Sequence, residues 1–141
     1  GVELINQGVK LRETMKSLSF VAFISAIETM IAFEYKDMKV EKCRTCGQDQ
    51  FKVRSKFRDY LFEYATSNPD AKKVINDLYS LRSKIAHTGM LLYGDGKIEW
   101  WTNGEGDKHF NMHLQSMMAS KLSLINWILK RGEKEQTLNK Q

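Results

Sequence analysis

A bounded amphipathic helix near the middle of the chain constrains the fold more than any other feature. Asn68 is a typical N-cap residue and Pro69 suits the first helical position, so we expect the helix to begin there. Gly89 suits the left-handed conformation that often ends a helix. Apolar residues recur between these ends three and four positions apart, which predicts a face packed on a core. Those positions are Val74, Ile75, Leu78, Leu81 and Ile85.

Three segments before this helix also have helical spacing. Residues 2–17 are loosely periodic, and either Ser17 or Ser19 caps a second helix there or the chain bends within one long helix. Residues 18–35 form the most apolar segment and should be the central helix. That segment is interrupted by Ser25, Glu28 and Thr29, so no apolar run approaches the roughly 20 residues of a membrane span. Residues 51–65 resume the helical pattern.

The last helix is expected over residues 108–130 and should end at Gly132. Its large apolar residues are expected to face inward: Phe110, Leu114, Met117, Met118, Leu122, Ile125, Ile128 and Leu129. Residues 90–101 carry a glycine-rich turn between apolar runs, which predicts a small β-hairpin leaning on the helices. The predicted fold class is all-α, an antiparallel bundle of about five helices with this hairpin between the last two.

Composition indicates one soluble domain with a core of its own. The chain has 141 residues, of which 42% are hydrophobic and 28% charged. We expect one helical domain over residues 1–131 and a polar, flexible tail over residues 132–141. Since the chain begins with Gly1 and shows no signal peptide, we expect it to be part of a longer cytoplasmic protein whose other domains are possible partners. A net charge of +5 permits contact with nucleic acid without requiring it.

Arg82 and His87 are the candidate catalytic residues. Arginine is a permanent cation whose planar fork suits phosphate, and histidine titrates near neutral pH. Together they supply the charge neutralisation and the proton transfer that phosphodiester chemistry requires. The alternative is that both are simply cations that stabilise the negative end of a helix dipole.

Four further side chains have candidate supporting roles: Glu28, Tyr79, Lys84 and, directly after Arg82, Ser83. Glu28 lies among isoleucines, where a carboxylate needs a partner, so it either pairs with a cation such as Arg82 or His87 or faces a solvent groove. Tyr79 either contacts a base or packs in the bundle. Lys84 either helps to attract phosphate or is an ordinary solvated lysine.

Cys43 and Cys46 form a CxxC turn, which is half of a zinc site. His109 and His113, four residues apart on one predicted helix, are candidates to complete it, as is the cysteine pair of a second chain. Two free thiols and a redox pair are the alternatives.

Four stretches, occurring in one order, resemble the HEPN domains, in particular the Apea-like HEPN group. They are Ser19-Phe-Val-Ala-Phe-Ile-Ser-Ala-Ile-Glu, Cys43-Arg-Thr-Cys-Gly-Gln, Lys56-Phe-Arg-Asp-Tyr and Leu81-Arg-Ser-Lys-Ile-Ala-His-Thr-Gly. The last of these is similar to the Arg-x4-6-His signature of that family. The resemblance covers most of residues 17–130.

The resemblance implies a helical bundle that forms a homodimer and cleaves RNA without a metal ion. A ribose 2′-hydroxyl would attack the adjacent phosphate, Arg82 would hold that phosphate, and His87 would act as general base or acid. Ser83 departs from the Asn, Asp or His that often follows the arginine, although a serine still donates a hydrogen bond. Other members of the family are non-catalytic and bind nucleotides or protein partners. No cofactor is required for such a reaction, so any zinc would be structural.

Overall fold

The chain forms a bundle of helices, as predicted, in a computed structural model that describes residues 1–38, 41–42, 49–50, 52–95 and 104–138. Within those residues there are five helices, α1 (Val2–Leu11), α2 (Lys16–Glu34), α3 (Val53–Tyr64), α4 (Ala71–Thr88) and α5 (Glu105–Leu138). Two short strands, β1 (Glu41–Lys42) and β2 (Asp49–Gln50), pair antiparallel, with Glu41 opposite Gln50. The predicted all-α class is therefore confirmed.

Helix α2 is the centre of the bundle, as its sequence predicts. It packs against the other four helices, and Phe20, Phe23, Ile24 and Ile27 are almost completely buried. A helix that is apolar on nearly every side is stable only when neighbours cover it all round. Its length and composition also suit a membrane span, but half of the helix is buried inside this bundle. Its position therefore agrees with a core helix.

The start of α2 is stabilised by a residue far away in the sequence. The Asp95 carboxylate accepts hydrogen bonds from the backbone N–H of Lys16, at 2.6 Å, and from that of Ser17. Ser17 Oγ instead accepts the backbone N–H of Leu92 at 2.7 Å, and Ser19 points into the bundle. The suggestion that Ser17 or Ser19 caps α2 is therefore wrong. A carboxylate is well suited to the positive end of a helix dipole, so Asp95 takes that place.

Helix α4 has its predicted core face and its predicted end. Ile75, Leu78, Leu81 and Ile85 are buried. Gly89 has a φ of 67°, and its N–H donates to the Ile85 carbonyl. The helix begins two residues later than predicted, at Ala71. Before it lies a local turn in which the side chain of Asn68 accepts the N–H of Asp70.

The hairpin predicted between the last two helices is not seen. Residues 90–95 form a loop with a turn, and the rest of the predicted hairpin, including Trp100 and Trp101, lies outside the described residues. The amides that a hairpin would pair across strands are used elsewhere. The N–H of Leu92 donates to Ser17, and that of Tyr93 donates to His109 Nδ1 at 3.2 Å. These bonds attach the loop to α2 and α5 instead.

Helix α5 extends past both predicted ends, because it starts at Glu105 and continues through Gly132 to Leu138. Its predicted inward face is wrong. Met117 is partly buried, and the other seven large residues are exposed: Phe110, Leu114, Met118, Leu122, Ile125, Ile128 and Leu129.

The opposite side of α5, where Ser116, Ser120 and Ser123 are buried, faces the bundle. Small side chains let the α5 backbone approach the bulky residues of α2 closely. Each serine hydroxyl donates to the carbonyl three residues earlier in the same helix, so burial leaves no hydroxyl unpaired. The helix therefore packs through its serines and presents its large apolar residues outward.

Candidate functional site on helix α4

The candidate site centres on an ion pair between α2 and α4. Arg82 Nη2 lies 2.9 Å from Glu28 Oε2, and the two side chains are 27% and 23% exposed. Of the two cations expected to pair with Glu28, Arg82 is therefore the one that does so. Since both groups are half-buried, the pair fixes the guanidinium in position more firmly than a surface ion pair would.

The rest of the Arg82 guanidinium is not fully hydrogen-bonded. Its Nε is buried and has no hydrogen-bond partner within the described residues. A buried donor without a partner costs about 1–3 kcal/mol. Arg82 thus has a fixed orientation, set by Glu28, together with unused donor capacity.

His87 lies in the exposed last turn of α4. Five residues along an α-helix correspond to about 7.5 Å of rise and a rotation of about 140°. Arg82 and His87 of one chain therefore project from different sides of α4. A single phosphate between both side chains is therefore reached more easily when one of them comes from a second copy.

The three predicted supporting residues on α4 differ in their surroundings. Tyr79 is partly buried and packs against Phe57, with ring centroids 5.2 Å apart, which matches the packing alternative. Ser83 is half-buried directly beside Arg82, and Lys84 is exposed. The structure therefore keeps Ser83 and Lys84 accessible and places Tyr79 in the packing layer between α3 and α4.

A shallow basic cavity between α4 and α5 was not predicted. It has a volume of about 240 Å³, and Lys84 and Lys108 supply its cationic side chains, with the imidazole of His109 beside them. Asp77, Ser80 and Met90 also line it. The two α5 residues lie more than twenty positions from Lys84 in sequence, so no local pattern could have grouped them. This cavity adds positive charge near the C-terminal half of α4.

The cysteine turn, Cys43 and Cys46, lies outside the described residues. Within the described residues, no group of three or more His, Cys, Asp or Glu side chains is placed to hold a metal ion. The two histidines suggested as further ligands already use one ring nitrogen each. His109 Nδ1 accepts the Tyr93 N–H, and His113 Nε2 is 2.8 Å from Ser19 Oγ. The zinc suggestion stays a prediction.

His113 is a buried structural residue of the α1–α2–α5 contact. Ser19 Oγ donates to the Gly8 carbonyl at 2.7 Å, so it accepts from the Nε2–H of a neutral His113. Burial lowers the pKa of His113 below its ordinary 6.5, and the nearby charge of Lys16 acts in the same direction. The folded protein therefore holds this imidazole neutral at neutral pH.

We expect His113 to make the fold less stable in mild acid. The unfolded chain, with the ordinary pKa of 6.5, binds a proton at a higher pH than the folded chain does. The free energy of unfolding should therefore fall as pH drops below 6.5, and this contribution should level off below the folded pKa. Urea unfolding between pH 7.5 and pH 5 should show a smaller loss in His113→Gln than in the wild type. Equal slopes in His113→Gln and in the wild type would contradict this role.

No family model matches this chain, and no curated protein or solved structure matches it at a significant level.

Proposed function

We propose that the chain is a HEPN-type endoribonuclease domain that cleaves RNA without a metal ion, using Arg82 and His87. The observation that carries the proposal is the position of both residues in the last two turns of α4. Arg82 is half-buried and held by Glu28, whereas His87 is exposed. A fixed cation and an accessible imidazole are the two groups that the reaction requires. The resemblance of residues 81–89 to the Arg-x4-6-His signature supports the same assignment.

In the proposed reaction the attacking group belongs to the RNA itself. His87 takes the proton of a ribose 2′-hydroxyl, O2′ bonds to the adjacent phosphorus, and the bond from phosphorus to O5′ breaks. His87 then gives that proton to O5′, so the products end in a 2′,3′-cyclic phosphate and a 5′-hydroxyl. Arg82 donates hydrogen bonds to the phosphate oxygens as their negative charge grows.

The proposed active form is a homodimer with a site shared by two copies. Within one chain, Arg82 and His87 leave α4 about 140° apart, so one phosphate between them is reached more easily by side chains of two copies. Ser83 and Lys84 lie beside the pair and would donate to phosphate groups flanking the reacting one. The basic cavity of Lys84, Lys108 and His109 would hold the neighbouring backbone.

A second candidate is a non-catalytic HEPN module that forms dimers and binds a nucleotide or a protein partner. The ion pair between Arg82 and Glu28 favours it, because a binding groove needs a fixed cation but no proton transfer. Ser83, which stands where the family often has Asn, Asp or His, also agrees with a lost activity.

Incubation with labelled RNAs of varied sequence and structure, in EDTA, separates the two candidates. The enzyme should cut RNA in EDTA as well as in its absence. Binding of RNA or nucleotide without cleavage of any substrate would support the non-catalytic module and overturn the proposed activity.

A further inference from the structure

The outward face of α5 is more apolar than a solvent-facing helix surface should be. Seven large apolar side chains between Phe110 and Leu129 are 40–62% exposed. Lys121 is the only charged residue from position 110 to position 129. Exposed apolar patches larger than a few hundred Å² are uncommon on monomers and often mark interaction sites. We call this surface the α5 outer face.

Four residues of the α5 outer face are symmetric in spacing about a point between Ala119 and Ser120, whereas Leu122 and Ile128 stand opposite Met117 and Asn111. Phe110 lies nine residues before Ala119, and Leu129 lies nine residues after Ser120. Leu114 and Ile125 are each five residues from the same two positions, and Met118 and Lys121 are each one residue away. When two copies of α5 lie antiparallel about a two-fold axis at this level, residues at equal distances from the midpoint face each other. Apolar residues then meet across the pair at both ends.

The size of the face also suits a pair of copies. Seven side chains that are about half exposed offer roughly 600–700 Å² of surface, close to the ~800 Å² that each partner buries in a standard interface. In such a pair, near the axis, the aliphatic stem of Lys121 would cover Met118 of the other copy while its ammonium group reached water. Two-fold pairing of identical surfaces is the commonest arrangement among protein oligomers.

We propose that two copies of this chain associate through antiparallel packing of their α5 outer faces. The pairing sets Phe110 of one copy against Leu129 of the other, and Leu114 against Ile125. It also brings Leu129 of the second copy to the mouth of a cavity of about 290 Å³, which Phe110, Leu114 and Met117 line together with Arg12 and Lys16. The cavity accommodates an apolar side chain at the end of the interface.

This interface is separate from the proposed RNA site, and the inference does not rest on that site. Helix α5 packs on α1, α2 and α3 and meets α4 only marginally, so α4 and α5 are diagonal neighbours in the bundle. Pairing through α5 leaves Arg82 and His87 of the two copies on the far sides of the dimer. A shared RNA site would need a second contact along α4, which we expect to form on RNA, so the masses below refer to the chain without RNA.

Light scattering or sedimentation of the wild type should give twice the mass of one chain at tens of micromolar, with dissociation on dilution. Leu114→Glu and Ile125→Lys should each be monomeric, because each places two unpaired charges in the interface. An equimolar mixture of the two variants should recover the dimer, since glutamate then faces lysine at one of the two equivalent contacts. Controls that place a charge on other exposed apolar residues, Leu18→Glu on α2 and Val53→Lys on α3, should remain dimeric.

A monomeric wild type would overturn the inference and assign the α5 outer face to another occupant, such as a membrane surface or another segment of a longer protein. Dimers that survive both single substitutions, or variants that do not recover the dimer on mixing, would also overturn it. Both substituted side chains are exposed in the single chain, so circular dichroism should show an unchanged helix content in each variant.

Discussion

Arg82→Ala should lower the rate of RNA cleavage by about 100-fold or more, because one preorganised donor to the developing phosphate charge contributes that much. His87→Ala should lower it by a similar factor through loss of proton transfer. Arg82→Lys keeps the charge but loses the planar fork, so it should recover only part of the activity. Each rate is measured on one labelled RNA in EDTA.

The matched control for these variants is Lys73→Ala, which removes an exposed cation from the first turn of the same helix. Its cleavage rate should stay close to that of the wild type. Thermal unfolding must accompany Arg82→Ala, because that change leaves Glu28 without its partner. A folded Arg82→Ala or His87→Ala protein with the wild-type rate would remove that residue from the proposed mechanism.

The second prediction with a large effect compares a core residue of α2 with an exposed residue of α5. Ile27 is 1% exposed, so Ile27→Ala should lower the free energy of unfolding by about 2–5 kcal/mol. Ile125 is 54% exposed, so Ile125→Ala should change it by less than about 0.5 kcal/mol. Urea unfolding measures both changes in free energy. Each substitution is made in protein that also carries Leu114→Glu, so that association through α5 does not contribute.

Equal losses in the free energy of unfolding for these two substitutions would contradict the orientation of α5. If Ile125→Ala destabilised the protein as much as Ile27→Ala does, the large apolar residues of α5 would have to face the core. Ser120→Leu gives the converse check. It inserts bulk where the side chain is only 1% exposed, and it should cost about 1–3 kcal/mol.

Sequence patterns predicted the helices whose signals are local. The apolar residues of α2 and of α4 identify buried helices, and Gly89 marks an end because its conformation depends only on its own backbone. The start of α2 could not be predicted in this way, because the carboxylate that caps it belongs to Asp95, which lies in a distant loop. The same loop donates its amides to Ser17 and His109, which is why residues 90–95 form no strand.

The orientation of α5 shows a different limit. A stripe of large apolar residues indicates that one side of a helix is covered. It does not indicate whether the chain's own core covers it. The sequence signal for the core-facing side of α5 was its three buried serines, Ser116, Ser120 and Ser123. Small residues at helical spacing allow close packing against bulky neighbours. At the candidate site, the isolated Glu28 correctly indicated a need for a cation. The contribution of Lys108 and His109 beside Lys84 depended on tertiary packing and could not be predicted.

Analysis of the RNA ends produced by purified protein in EDTA tests the proposed activity most directly. If Arg82 and His87 promote attack by the 2′-hydroxyl, the fragments should end in a 2′,3′-cyclic phosphate and begin with a 5′-hydroxyl. Both ends should disappear together in Arg82→Ala and His87→Ala. Intact RNA, or fragments with 3′-hydroxyl and 5′-phosphate ends, would contradict the account.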